Sequence, residues 1–170
     1  IEGRGELSRK ISGLLNGGDP ASPEPWQTFY ANSGAEANEC AIKLARLYAR
    51  KNAEEAARAA GADDAQIKQA FDGAPRTIVV LDRSFHGRTL ATLAATAQPA
   101  KQEAFQPLPG GFVNTPINDV PALTRLFEQQ GHDICAVMLE CIQGESGVHP
   151  CTKEFLEAVR NLTKEHDALM

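Results

Sequence analysis

No run of apolar residues in this sequence approaches the roughly 20 that a membrane-spanning helix needs, and no signal-peptide pattern opens it. A cytoplasmic protein is therefore expected. Basic charge is in short supply too. Lys and Arg number 17 against 22 Asp and Glu, a formal charge of −5, which argues against a nucleic-acid surface or one suited to acidic lipid. The nucleotide-binding pattern GxxxxGK[ST] is absent. The cysteines, Cys40, Cys135, Cys141 and Cys151, form no CxxC pair and fit no zinc spacing, so neither a metal site nor a disulfide framework is expected. Cys40 in a helical pattern and Cys135 in an apolar run read as small core residues.

What is present fits one domain of ordinary size: 170 residues, enough to bury roughly 70% of the unfolded surface if it folds alone. Both ends read as cut. The chain opens on Ile1-Glu2-Gly3-Arg4, a tetrapeptide also used as a protease site, and stops at 167–170 just as an apolar run begins. Leu7, Ile11, Leu14 and Leu15 share a helical face, and the turn formers NGGDPASPEP at 16–25 end that helix. TFYA at 28–31 reads as a short strand or an extended approach to a helix from Gly34 to about Lys51. The apolar stripe of that helix is Ala37, Cys40, Ala41, Leu44 and Tyr48. Residues 53–72 read as two short exposed helices parted by Gly61, with Asp63 as a cap, and 53–73 as a surface insertion.

Two continuous apolar runs, TIVVLD at 77–82 and ICAVMLE at 134–140, have the character of strands buried on both faces of a parallel sheet. Between them come a helix near 88–97, a Pro/Gly-rich loop through PLPGGF, and a helix at 119–130. A last helix at 152–166 is capped by Thr152. Strands alternating with helices predict an α/β fold, a mostly parallel sheet with helices on both sides.

Three stretches could carry chemistry. In Asn32-Ser33-Gly34-Ala35-Glu36, Ser33 and Glu36 have the spacing of a capping box, which alone would explain them. Gly34 and Ala35 also leave the first N–H groups of the helix uncovered, as a bound anion would require. Ser84-Phe85-His86-Gly87-Arg88-Thr89 follows the first buried strand, at the edge where open α/β sheets bind ligands. There Phe85 either covers a flat ligand or plugs the core, and Arg88 either forks onto a carboxylate or is solvated. A lone loop histidine such as His86 is more often structural. Glu140-Cys141-Ile142-Gln143-Gly144-Glu145 leaves the second strand with two carboxylates, which five positions apart need not meet.

Taken in order, NSGAEANE, SFHGRT and ECIQGESGV resemble the class III pyridoxal-phosphate-dependent aminotransferases, and FQPLPGGFVNTPINDVPAL (105–123) is most similar to their acetylornithine and ornithine branch. The resemblance covers nearly the whole chain. It implies part of the three-layer α/β/α large domain of fold type I enzymes, with pyridoxal 5′-phosphate as cofactor. It implies that Gly34 and Ala35 hold the cofactor phosphate beside Ser33. Phe85 stacks on the pyridine ring with His86 adjacent, and Glu140 lies near the cofactor. Arg88 binds a substrate carboxylate, and Glu145 belongs to a substrate-facing charge pair. The activity implied is transfer of the δ-amino group of N-acetylornithine to 2-oxoglutarate, in arginine biosynthesis, by a homodimer. Ornithine, 4-aminobutyrate and succinylornithine are rival donors, and a non-catalytic phosphate-binding α/β module is the rival outside the enzymes.

The pattern departs from the family at Cys141, where proline is usual, and in the length of the Ala-rich stretch. A larger departure is an absence. None of the seven lysines stands where the family's covalent lysine would; Lys101 reads as a loop residue and the others as helix surface. No acidic residue matches the partner of the pyridine nitrogen. No catalytic residue is therefore expected in this stretch, and residues 1–170 alone are expected to be inactive and to bind the cofactor weakly at most.

Overall fold

The structure is a computed structural model that describes residues 2–17, 26–145 and 147–170. It divides into an N-terminal unit up to Ser33 and a larger unit from Gly34 to Met170. In the first, helix α1 spans Glu2–Leu15, starting earlier than its sequence suggested. Its Leu7, Leu14 and Leu15 are exposed. The stretch 26–31 returns along it without regular secondary structure: the Ser8 and Tyr30 hydroxyls lie 3.0 Å apart, and the Ser12 hydroxyl donates to the Trp26 carbonyl at 3.1 Å. TFYA forms no strand. Most of the turn-rich stretch, 18–25, lies outside the described residues.

The larger unit is built on three parallel strands. Strand β1 (Thr77–Leu81) is buried along its whole length and lies between β2 (Phe112–Thr115) and β3 (Ile134–Met138). Its side chains alternate between two cores, as a doubly covered strand requires. Val79 and Leu81 pack with Leu123, Phe127, Phe155 and Val159 from α6 (Val120–Gln130) and α7 (Lys153–Glu165). Ile78 and Val80 pack with Ile42, Ala45 and Ala49 of α2 (Gly34–Ala59) and Ala95 of α4 (Leu90–Ala95). Each large aliphatic side chain so buried contributes about 1.5–3 kcal/mol. Helices therefore cover both faces of the sheet. Pairing of β1 with β3 slips by one residue between Thr77 and Ile78. Cys135 is the extra residue, and both it and Ala136 join the α2 side.

Several elements differ from expectation. Helix α2 does not stop near Lys51 but continues through the Ala-rich stretch to Ala59, since nothing before Gly61 breaks it. Helix α3 (Asp64–Gly73) then folds back with Ile67 buried, started by the expected Asp63 cap, which with Gln66 forms a capping box. The stripe expected to be the buried face of α2 is open. Ala37 and Ala41 are exposed, Leu44 and Tyr48 are 56% and 43% accessible, and Ile42, Ala45 and Ala49 face the sheet instead. Strand β2 was not anticipated, and Lys101 lies in a short helix, α5 (Pro99–Gln102), rather than in a loop. A two-stranded antiparallel ribbon, β4 (Ile142–Gln143) with β5 (His149–Pro150), precedes α7. After α7, Leu169 pairs with β3, its N–H donating to the Cys135 carbonyl at 3.0 Å. No helix of the described residues is long and apolar enough to cross a membrane.

Candidate functional site

Parallel strands deliver their carboxyl ends to one edge of a sheet, and here β1 and β3 deliver the two loop motifs to the same edge. The loop after β1 is tied down from within. The His86 N–H donates to the Thr96 hydroxyl at 3.0 Å, and the buried Ser84 hydroxyl to the Ala95 carbonyl at 3.3 Å. It is also tied to the loop after β3. Glu140 Oε1 accepts the Phe85 N–H at 2.8 Å, and Gln143 Nε2 donates to the Asp82 carbonyl at 3.0 Å.

The start of α2 joins the same cluster. Gly34 and Ala35 are its first two residues, with Ser33 immediately before them; Gly34 is exposed and Ala35 half-buried. Gly87 sits against Ala35 with φ at 137°, and a Cβ there would lie 2.7 Å from the Ala35 Cβ and 2.6 Å from the Thr92 hydroxyl. Only glycine allows this approach without displacement. One turn into the helix, Asn38 Nδ2 donates to the His86 carbonyl at 2.7 Å, and Glu39 accepts the Thr89 hydroxyl at 2.5 Å. Asn38, Glu39, Thr89 and Gln143 were given no role from sequence. Asn38 and Glu39 fall within the NSGAEANE motif, and their spacing from Gly34 and Ala35 puts them on the same helical face, a signal that was available.

Charge gathers around Phe85. The Arg88 guanidinium lies 5.2 Å and the Lys101 ammonium 5.8 Å from its ring centroid. Lys101 Nζ also contacts Glu145 Oε2 at 2.5 Å. This bond, then the Lys101 charge, and more weakly Arg88, hold the Glu145 carboxyl below its ordinary range. Glu145 is thus a carboxylate at neutral pH, paired across 44 positions with a residue that sequence gave no role. Glu140 and Glu145 have separate partners, Phe85 and Lys101, so no acid–base dyad is formed. Burial lowers the pKa of His86 against the opposing pull of Glu140. Its Nε2 and Gln143 Oε1 are buried without a hydrogen-bond partner among the described residues, a condition that costs about 1–3 kcal/mol each unless something supplies one. No group of three metal-ligating side chains occurs among the described residues.

The three motifs read from sequence therefore meet at one edge, with a helix N-terminus, a half-buried aromatic ring, orphaned polar atoms and a carboxylate–ammonium pair. Residues 4–170 match the family profile of the class-III aminotransferases. The chain is 46% identical over 144 residues to an acetylornithine aminotransferase of Xanthomonas campestris, a match covering 85% of this chain and 31% of that protein. It is 42% identical to one from Caldanaerobacter subterraneus, covering 96% and 34%. A succinylornithine transaminase of Yersinia pseudotuberculosis is 44% identical, covering 85% and 31%. The chain thus spans about a third of the length of the curated relatives it matches. Among solved structures, ornithine aminotransferase from Toxoplasma gondii has the same fold over 96% of this chain and 33% of its own, with a TM-score of 0.67 at 21% identity. An omega-transaminase from Thermomicrobium roseum matches with a TM-score of 0.70 at 24% identity, over 96% and 36%. The sheet and its two helical layers are those of the fold type I large domain, and the chain belongs to the class III aminotransferases, which work with pyridoxal phosphate.

Proposed function

We propose that this chain is the cofactor-holding middle part of a cytoplasmic enzyme that moves the δ-amino group of N-acetylornithine to 2-oxoglutarate, as a step of arginine biosynthesis. The observation that carries the reading is the convergence of the three motifs, Gly87 against Ala35 and the Phe85 N–H on Glu140. Pyridoxal phosphate supplies the electron sink through which an amino group is exchanged for a carbonyl oxygen. Gly34 and Ala35 offer their N–H groups to its phosphate at the positive end of a 26-residue helix, with Ser33 adjacent. Phe85 covers one face of the ring, its backbone fixed by Glu140, and His86 and Gln143 bring the unpartnered polar atoms. Arg88 grips a substrate carboxylate. Glu145, held by Lys101, sets the charge that the rest of the substrate meets. The covalent lysine and the acid facing the pyridine nitrogen have no counterpart in this chain, and the reading places both elsewhere in the complete protein.

Pairing of two subunits belongs to the same reading. Ala37, Ala41, Leu44, Leu47 and Tyr48 form an open apolar stripe on α2, of the kind that marks a protein interface, and a second copy of the chain is its proposed occupant. The complete protein, supplied with pyridoxal phosphate and 2-oxoglutarate, should form glutamate with its highest kcat/KM on N-acetylornithine. A higher value on succinylornithine, ornithine or 4-aminobutyrate would reassign the donor. No glutamate with any amine would leave a phosphate-binding module.

A further inference from the structure

β4 and β5 align Ile142 with Pro150 and Gln143 with His149, so the next rung of the ribbon sets Cys141 opposite Cys151. The Cys151 N–H donates to the Cys141 carbonyl at 2.8 Å, which makes this a hydrogen-bonded rung. Residues opposed on such a rung have Cα atoms about 5.5 Å apart and side chains on the same face. That spacing falls within the roughly 4.4–6.8 Å between Cα atoms that a disulfide accepts, and closure has to draw the Cβ atoms, about 5 Å apart on such a rung, to about 4 Å. Both thiols are free; Cys141 is exposed and Cys151 half-buried, whereas Cys135 is sealed in the core. Burial, and after it the neighbouring Cys141 and Glu140, push the Cys151 thiol above its ordinary value. The rung also adjoins the site: Cys151 Sγ donates to the Glu140 carbonyl at 3.4 Å, and the Glu140 carboxylate takes the Phe85 N–H.

We propose that Cys141 and Cys151 are a reversible redox site, closed to a disulfide by exchange with a small disulfide such as oxidised glutathione. Cys141, the accessible thiol, attacks first as its thiolate. The glutathione S–S bond breaks, one glutathione leaves, and the other remains bonded to Cys141. Cys151 then loses its proton, attacks the Cys141 sulfur and expels the second glutathione. Two protein thiols are oxidised to one disulfide, the oxidant is reduced to two glutathione thiols, and these take up the two protons released. Closure removes the thiol donor from the Glu140 carbonyl and ties down the segment that presents Glu140 to Phe85. A consequence for pyridoxal phosphate rests on the proposed cofactor site; the disulfide itself does not.

The test is a peptide map of the complete protein equilibrated in glutathione buffers of graded oxidation, quenched in acid and alkylated. Cleavage after Glu140, Glu145 and Glu154 puts the two cysteines on separate peptides, 141–145 and 146–154. The expected result is loss of two free thiols, with those peptides joined at a mass two hydrogens below their sum, restored by dithiothreitol. Cys141→Ser should abolish the linked species, and Cys151→Ser should trap glutathione on Cys141. Because the unaltered protein gives the primary map, a variant that fails to fold does not spoil the test. Both thiols free at the oxidising limit, glutathione held on Cys141 without linkage, or linkage to another cysteine would each overturn the proposal. A linked protein that binds pyridoxal phosphate as the reduced form does would overturn the coupling to Glu140 while leaving the disulfide.

Discussion

Gly87 is the residue on which two motifs close. Its φ of 137° lies where side chains are rarely tolerated, and any Cβ would meet Ala35 and Thr92 well inside contact distance. Gly87→Ala should therefore lower stability by about 1–3 kcal/mol through overpacking alone, read as a fall in the urea midpoint at unchanged slope. His86 makes a pH prediction. Burial lowers its pKa from the ordinary 6.5, so the unfolded chain binds the proton more readily than the folded one. The stability this confers is complete above about 6.5 and declines as pH falls toward and through the lowered folded value. Urea midpoints followed from pH 8 to pH 5 should fall on the acid side, and His86→Asn should flatten part of that fall; an unchanged acid limb would refute it. At this scale the sequence placed Gly34 and Ala35 at the start of a helix, where the structure has them. The resemblance put Glu145 in a charge pair but did not point to Lys101 as its partner, because the two residues lie 44 positions apart and only the folded loops bring them together.

The long helix α2 shows both the reach and the limit of periodicity. Its stripe of Ala37, Cys40, Ala41, Leu44 and Tyr48 was legible as apolar, yet Ile42, Ala45 and Ala49 face the sheet. The helix carries apolar residues on two faces, and a pattern of 3.6 residues does not say which one packs within the chain. Leu44 is 56% exposed, so Leu44→Glu should change the stability of the folded subunit by no more than about 0.5 kcal/mol. Placed against a second copy, the same carboxylate would be buried without a partner. Sedimentation of the complete protein should then show monomer for this variant and, on the proposed pairing, dimer for the unaltered protein. Dimerisation of equal strength in this variant would remove the α2 stripe from the interface. The buried strands were legible because β1 and β3 are short continuous apolar runs with both faces covered. Strand β2 was not, since FVNT is four residues long, includes an exposed Asn114, and follows directly on a Pro/Gly-rich loop.

For the molecule as a whole, the order of strands and helices was enough to predict an α/β fold, and the three motifs in order were enough to indicate the family. Their convergence required the parallel sheet, which aims the ends of β1 and β3 at one edge and sets the start of α2 against them. The central claim is that small residues at the start of α2 keep N–H groups free for the cofactor phosphate. Gly34→Pro tests it most directly. Proline is well accepted at the first position of a helix but has no N–H to give. Titration of the complete protein with pyridoxal phosphate, followed by absorbance, should show affinity reduced about tenfold or more, as expected for losing a hydrogen bond to a charged group, with helix content and thermal midpoint unchanged. Unchanged affinity in a folded Gly34→Pro protein would contradict the account.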